Sequence, residues 1–308
     1  MNVARSVLIF IVVSSMFAQD VPIFSAKVNE VSLLTTVRDH DGRIIKDLTA
    51  DDFALEDNGQ HQKIRYFSKE SDLPLTIGLL VDTSRSQTGV LEDESSASYT
   101  FLDQVLREGK DQAFVVHFDE RVETLQGLTS SRGQLKSALD KLSIPADLAT
   151  LIYSAVRDSS ENIMKEQQGR KALILLTDGV AYKDPISLET AIEFAQRAGT
   201  IIYSIRFSDP VHFRGPFRSA VLAGMKERGK VDLERMSKET GGTLYEVTKD
   251  QTIEQIYSRI EDALRYQYSI GYTPEQSATD GKYHKIKLTT RDRHFIVETR
   301  RGYYAPTQ

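Results

Sequence analysis

The central part of the chain, 74–264, alternates short apolar runs with stretches of helical periodicity. The apolar runs are typical of buried strands, and they lie at 75–81, 112–118, 171–177, 200–207 and 243–247. The stretches between them place apolar residues along one side of a helix, at 90–107, 131–141, 151–165, 186–198 and 252–264. Apolar strands separated by helices predict a doubly wound α/β fold, with a mainly parallel sheet covered on both faces.

The two flanking segments, 21–72 and 266–308, show the patterns of β-strands. Residues 31–37 alternate apolar and polar side chains, and Asn58-Gly59 predicts a hairpin between two short strands. The C-terminal segment has strand-like runs at 266–272, 284–290 and 294–300, and a tight link at 291–293 joins the last two. Each segment is too small to bury a core alone, so we predict that both pack together as one β-sandwich-like unit. Two separate β-appendages on the α/β domain are the alternative.

The first residues have the pattern of a signal peptide. Arg5 precedes the apolar run "SVLIFIVVSSMFA", which ends at a small residue, Ala18. This apolar core is too short to span a bilayer comfortably. We therefore expect 1–18 to be a signal peptide cleaved near Ala18, and the mature protein to be periplasmic or extracellular without a membrane span. A retained N-terminal anchor is the alternative.

The composition argues against several kinds of partner and functional site. The net charge is −5, and no basic stretch is long enough to suggest nucleic acid as a partner. The chain has no cysteine, which excludes disulfides, thiolate metal sites and a cysteine nucleophile. Its six histidines are scattered, with no pair at the i, i+4 spacing of a helical zinc site. A zinc enzyme is therefore not favoured.

Polar side chains follow two of the predicted strands at the point where each strand ends. Asp82 comes directly after the first apolar run, and Ser84 and Ser86 lie in the same turn. Asp178 follows the third run, and Thr150 precedes a predicted helix. The carboxyl ends of parallel strands meet at one edge of a sheet, so these residues are expected there together. Carboxylates and hydroxyls are hard oxygen ligands, which suit Mg²⁺ or Mn²⁺.

These residues match a known motif. They resemble the metal-ion-dependent adhesion site (MIDAS) of von Willebrand factor A (VWA) domains. In this chain the motif reads Asp82-x-Ser84-x-Ser86, Thr150 and Thr177-Asp178-Gly179. The resemblance covers about 74–264, and the segments 47–70 and 265–306 look like those of VWFA-related proteins exported by bacteria. One departure is "DLAT" at 147–150, where the family often has Gly-Gly; Leu and Ala make this loop stiffer.

The resemblance implies binding rather than catalysis. In the family, hydroxyls and waters take much of the metal's inner coordination sphere, and an open position accepts a carboxylate from a partner protein. Asp82 and Asp178 together would cancel the charge of a divalent cation, so a further anionic ligand is not repelled. The expected partner is thus a protein that supplies an acidic side chain, and the candidate contacts beside the metal are Arg85, Arg214 and Arg218.

Two other functions stay open from the sequence. A metal-independent structural or assembly module of the cell envelope needs no cation at all. A Mg²⁺-dependent hydrolase is less favoured, because the chain lacks a G-x-S-x-G elbow and a phosphate-binding loop. His117 and Asp119 end another predicted strand, and we interpret them as structural because no nucleophile is paired with them.

The segment 208–230 is unusually long for a connection after a strand. It is locally basic and contains Arg214 and Arg218. We expect a loop with a short helix near 218–226. It is either a solvated connection or a surface that selects the partner beside the metal.

Overall fold

The computed structural model of the protein describes residues 30–70, 72–145, 149–207, 216–274 and 280–306. Its strands are β1 (Val31–Arg38), β2 (Phe53–Asp57), β3 (Gln60–Gln62), β4 (Tyr66–Glu70), β5 (Leu75–Asp82), β6 (Gln112–Phe118), β7 (Val122–Thr129), β8 (Arg170–Thr177), β9 (Ile201–Arg206), β10 (Leu244–Glu246), β11 (Gln267–Tyr272), β12 (Tyr283–Thr290), β13 (Ile296–Thr299) and β14 (Gly302–Tyr304). Its α-helices are α1 (Leu91–Val105), α2 (Arg132–Leu139), α3 (Ile152–Asn162), α4 (Leu188–Arg197), α5 (Pro216–Thr240) and α6 (Ile253–Arg265).

The central sheet has six strands in the order β10-β9-β8-β5-β6-β7. All neighbours are parallel except β7, which runs antiparallel to β6 at one side. The strands β5 and β8 are hydrogen-bonded neighbours, so the residues that follow them emerge side by side. This arrangement confirms the predicted doubly wound α/β fold.

Two apolar clusters cover the two faces of this sheet. Every residue of β5 is buried, as expected for a strand packed on both sides. One face packs against α1, α2 and α6, and the other against α3, α4 and α5. The sheet is therefore the middle of three layers, and its polar groups are accessible mainly where the strands end.

Two antiparallel four-stranded sheets lie beside the α/β unit, in the orders β13-β1-β11-β4 and β14-β12-β2-β3. Each contains strands from both ends of the chain, and one apolar cluster is shared between them. The hairpin at Asn58-Gly59 joins β2 to β3 with positive φ angles of 49° and 81°, the left-handed conformations that such a turn requires. The division of the chain into domains near 72 and 266 stays a prediction.

One buried arginine ties the two units where the chain passes between them. Arg170, at the start of β8, is 1% exposed. Its guanidinium donates to the carbonyl oxygens of Leu264 and Leu73, the latter at 2.9 Å. Leu73 comes just before the first strand of the α/β unit, and Leu264 lies at the end of its last helix. A single side chain therefore binds both points at which the chain passes between the two units.

In the described part of the segment 208–230, the short helix expected near 218–226 is part of a longer one. Residues from Pro216 onward belong to α5, which continues to Thr240. The C-terminal part of the helix buries Leu233 and Met236 against the sheet. Once this part is anchored, the helix can extend N-terminally at little cost, because propagation is easier than nucleation. Gly224 and Gly229 both lie within this helix.

The predicted strand pattern also missed two elements. The strand β7 mixes half-buried and exposed residues without clean alternation, and its pairing with β6 has register shifts. At the C-terminus, the tight link at 291–293 connects strands of different sheets, because β12 pairs with β2 and β14 whereas β13 pairs with β1. The short strand β14 was not predicted.

Several expectations fall on residues that the structure does not describe. The signal peptide 1–18 with its cleavage near Ala18, and Arg214, lie outside the described residues. In the part of the chain that is described, no helix combines the length and apolar character needed to cross a membrane.

Candidate metal centre

The loop after β5 brings a buried carboxylate and two hydroxyls together. Asp82 is 0% exposed, and its Oδ1 accepts a hydrogen bond from the backbone N–H of Ser84 at 2.9 Å. The hydroxyls of Ser84 and Ser86 are 3.1 Å apart. A short 3₁₀ turn, Arg85–Gln87, then leads the chain toward α1 and leaves Arg85 exposed. Three of the predicted ligands thus lie within one turn.

The loop after β8 adds the second acid from the neighbouring strand. Thr177, the last residue of β8, donates its hydroxyl to Asp82 Oδ2 at 2.5 Å and accepts from the N–H of Gly179 at 3.1 Å. Asp178 is 5% exposed, and its Oδ1 accepts from the N–H of Val180 at 3.0 Å. The loops that carry the two aspartates are therefore directly bonded to each other.

Two features outside the predicted ligand set hold Asp178 in place. Gly179 has φ +88°, and an added Cβ would lie 3.0 Å from the backbone of Gly229 in α5, so both glycines allow a close approach of helix and loop. The buried Arg206, at the end of β9, donates from Nε to the carbonyl oxygen of Asp178 at 3.1 Å. Its guanidinium also binds Glu246 at 2.6 Å.

Thr150 is tied to the same edge by its backbone. Its N–H donates to the carbonyl of Tyr182 at 2.9 Å, and the N–H of Tyr182 donates back to Thr150 at 3.1 Å. Asp184 in the same loop caps α3, because it accepts from the N–H of Tyr153 at 2.7 Å and from the hydroxyl of Ser154 at 2.7 Å. These bonds fix the start of α3, and with it Thr150, against the loop that carries Asp178.

The electrostatics of this edge disfavour two bare carboxylates. Burial raises the pKa of Asp82 to about 7, and the charge of Asp178 adds to the rise. Hydrogen bonds from Ser84 and Thr177 act in the opposite direction without cancelling it. A divalent cation would relieve both costs, so this donor set suits a metal ion. Among the described residues, no three His, Cys, Asp or Glu side chains could hold a metal on their own, so the hydroxyls would be needed as ligands.

His117 and Asp119 contact the loop of the predicted ligands through Thr83. The hydroxyl of Thr83 donates to Asp119 Oδ2 at 2.8 Å and lies 3.1 Å from His117 Nδ1. His117 Nε2 is also 3.5 Å from Glu123 of β7. These contacts tie β6 and β7 to the loop after β5, in agreement with a structural interpretation.

The supporting residues gave no clear signal in the sequence. Arg206 lies at the end of an apolar run that predicts an ordinary buried strand, and Asp184 lies in a polar loop. Glu94 is one of three acidic residues in the first turn of α1, where acidic side chains are common because they interact favourably with the helix dipole. Only its burial, at 0% exposure, distinguishes it.

The sequence profile of the von Willebrand factor type A domain matches residues 76–259 of the chain. The protein belongs to this family. The matched residues span β5 through most of α6, so the VWA domain is the six-stranded sheet with its helices. No curated protein matches the chain.

Solved structures of one mussel protein show the same fold at low sequence identity. The proximal thread matrix protein 1 of the mussel byssus is 17% identical with a TM-score of 0.51, and the match covers 68% of this chain and 51% of that one. The same mussel protein has been solved with a zinc-occupied MIDAS motif, at 18% identity and a TM-score of 0.51. The BatB protein of Bacteroides thetaiotaomicron is 17% identical with a TM-score of 0.47, over 62% of this chain and 96% of that one.

Proposed function

We propose that this protein binds a partner protein through a divalent cation, Mg²⁺ or Mn²⁺, and that the partner supplies a carboxylate. The residues that would hold the cation are Asp82, Ser84, Ser86, Thr150 and Asp178. The observation that carries the proposal is the bonded pair of loops after β5 and β8. They set a buried aspartate with a raised pKa beside a second aspartate and two hydroxyls.

The charges of the ligand set favour binding of an anion. Two aspartates balance a divalent cation, and the remaining protein ligands are neutral hydroxyls. When bound, the cation would supply a positive centre with coordination positions left for oxygen ligands. The hydrogen bonds from Ser84 and Thr177 orient Asp82, and the Arg206 bond orients the loop of Asp178. The protein thus preorganises the ligands, and the partner contributes the last one.

The N-terminal part of α5 supports a partner surface beside the metal. Gly229 packs on Gly179 at the edge where β8 ends, so the helix before Gly229 extends past this edge. At 1.5 Å per residue, the part from Pro216 to Arg228 is about 20 Å long. Val221 is 51% exposed and Met225 36%, and the two lie one turn apart on this part of the helix.

We propose that cationic residues near the cation help to select an acidic partner. Arg85 is exposed in the turn between the two serines. The backbone of Arg218 lies in the first turn of α5, and Arg214 precedes this helix in the sequence. Charges of this kind change association rates and partner choice more than final affinity.

We also propose that the protein is exported, and that residues 1–18 are a signal peptide cleaved near Ala18. The support is the sequence pattern of a basic start, a short apolar core and small residues. The chain has no cysteine, so its stability does not depend on disulfides in an oxidising compartment. Mass spectrometry of the exported protein would identify its N-terminal residue and so test the cleavage position.

Partner capture with and without metal tests the proposed function. The purified protein, immobilised, is incubated with envelope extract in Mg²⁺ or in EDTA. We expect captured proteins to be lost in EDTA and with Asp82→Ala, whereas Asp93→Ala, an exposed acidic residue of α1, should behave as wild type.

Capture that is unchanged in EDTA and in Asp82→Ala would contradict the metal-dependent function. That result would favour the metal-independent structural or assembly module. Hydrolysis of a phosphate ester that depends on Mg²⁺ and on Asp82 would instead favour the hydrolase. We do not propose catalysis, because the histidine at this edge, His117, is engaged by Thr83, Asp119 and Glu123.

A further inference from the structure

Helix α1 carries a buried acidic residue, Glu94, in its first turn. Glu94 is 0% exposed, whereas Glu92 and Asp93 in the same turn are exposed. Neither carboxylate oxygen of Glu94 has a hydrogen-bond partner among the described residues. A buried polar group without a partner is costly, and a buried charge is more so. Such a group is expected only where something else compensates it.

The surroundings of Glu94 point to the metal centre. Burial raises the pKa of Glu94 well above its usual value, and the charges of Asp82 and Asp178 raise it further. Glu94 therefore lies within electrostatic reach of both aspartates. One turn further along α1, Ser98 is instead engaged by Tyr257 of α6 at 2.6 Å. Glu94 and Ser98 share one face of α1, and the charge of Glu94 also contributes to the raised pKa of Tyr257, so this face is within reach of both α6 and the two aspartates.

A second buried residue with an unpaired oxygen lies beside Ser86. Gln87 is 1% exposed, and its Nε2 is 3.4 Å from the hydroxyl of Ser86. Its Oε1 has no partner among the described residues. The buried oxygens of Gln87 and Glu94 are acceptors, as are the ligand oxygens beside them. A cation with its bound waters would provide the positive charge and the donors that these acceptors need.

We propose that Glu94 is a third carboxylate of the metal centre and accepts a hydrogen bond from a water molecule bound to the cation. The inference rests on the proposed function, because it assumes that the cation binds. A water-mediated contact is favoured over direct ligation, since no three acidic side chains of the described residues form a metal-holding group. Glu94 lies outside the ligand set, so the inner sphere with Asp82 and Asp178 stays neutral toward a partner carboxylate, while the hydrogen bond from the bound water to Glu94 strengthens cation binding.

Metal titration of two matched variants tests this assignment. Glu94→Gln keeps the size of the side chain and removes its charge, and Glu92→Gln makes the same change at the exposed position of the same turn. The purified proteins are titrated with MgCl₂ and MnCl₂ by isothermal calorimetry. We expect Glu94→Gln to weaken metal binding about 10- to 100-fold, because the loss of a residue that hydrogen-bonds a metal ligand typically has an effect of this size. Glu92→Gln should stay within about twofold of wild type, because an exposed side chain has little influence on the site.

Thermal unfolding in EDTA separates a metal-related role from a structural one. We expect metal-free Glu94→Gln to melt no lower than wild type, because it loses a buried acid that has no partner. Glu94→Asp keeps the charge and should recover part of the lost affinity.

Three outcomes would overturn the assignment. Metal affinity of Glu94→Gln within about twofold of wild type would remove Glu94 from the metal centre and leave the proposed function intact. A lower melting temperature of Glu94→Gln in EDTA, with no recovery by Glu94→Asp, would identify a folding role. Wild type that binds neither metal would overturn the proposed function, and the assignment of Glu94 with it.

Discussion

Two buried aspartates in this protein have opposite surroundings. Asp57, at the end of β2, is 5% exposed and accepts hydrogen bonds from the hydroxyls of Tyr272 at 2.8 Å and Tyr303 at 3.2 Å. Its other oxygen is 3.1 Å from His284 Nδ1. Tyr272 belongs to the opposite four-stranded sheet, so this network joins the two flanking sheets. Asp82, at the end of β5, faces a second aspartate instead.

The neighbours of a buried carboxylate indicate whether its role is structural or in binding. The carboxylate of Asp57 is surrounded by donors, so the protein itself supplies what the charge needs. Asp82 has two donors, Ser84 and Thr177, but also has Asp178 and Glu94 within electrostatic reach. Burial of several acids in one place is tolerated only if they are protonated or if a cation joins them. We therefore expect the first aspartate to stabilise the fold and the second to take part in metal binding.

Replacing Asp82 should give the largest effect on metal binding. We expect Asp82→Asn to weaken Mg²⁺ and Mn²⁺ by more than about 100-fold, since removal of even an outer-shell residue costs 10- to 100-fold. In EDTA the variant should be at least as stable as wild type, because a buried acid next to another acid is removed. Calorimetry and thermal unfolding measure the two effects. A destabilised metal-free variant would argue that Asp82 is structural.

Replacing Asp57 should give the opposite result. We expect Asp57→Asn to lower the free energy of unfolding by about 1–3 kcal/mol, because it leaves buried tyrosine hydroxyls with a poorer acceptor. Metal affinity should stay unchanged, since Asp57 is in the flanking sheets. Urea unfolding and metal titration of the same preparation check both statements. A loss of metal affinity in this variant would mean that the two units are coupled.

The pH dependence should give a smaller but characteristic effect. Burial and the charge of Asp178 raise the pKa of Asp82 from 3.8 to about 7. Protons therefore compete with the metal, and below about pH 7 each pH unit should weaken apparent affinity up to tenfold. In the metal-free protein the native state holds this proton more tightly than the unfolded state. Its contribution to stability is thus full below about pH 4 and lost as the pH rises to about 7.

Asp82→Asn provides the control for this pH effect. The variant has no titrating group at this position, so its metal-free stability should lack that decline between about pH 4 and pH 7. Unfolding curves in EDTA at several pH values measure the difference between variant and wild type. Parallel profiles for the two proteins would show that Asp82 has an ordinary pKa.

Much of the site follows from the order of strands along the chain. Asp82 and Asp178 each follow an apolar run, and parallel strands bring such ends to one edge. The hydroxyls of Ser84 and Ser86 follow from local spacing in one turn. The long helix α5 could not be recognised in the same way, because residues 223–228 bury little and include Gly224. β7 was missed because its half-exposed residues lack the alternation of a strand with one buried face.

The sequence by itself determined the α/β fold, the strand ends that carry Asp82 and Asp178, and the VWA resemblance, because periodicity and spacing are local properties. Only the tertiary structure decided which acids are buried and what surrounds them. Glu94 looks like an ordinary acidic residue of a helix start until its burial is known, and Arg206 looks like the end of a strand until it bonds Asp178. The environment of a charge depends on residues that are distant in the chain, and this environment separates a ligand from a structural contact.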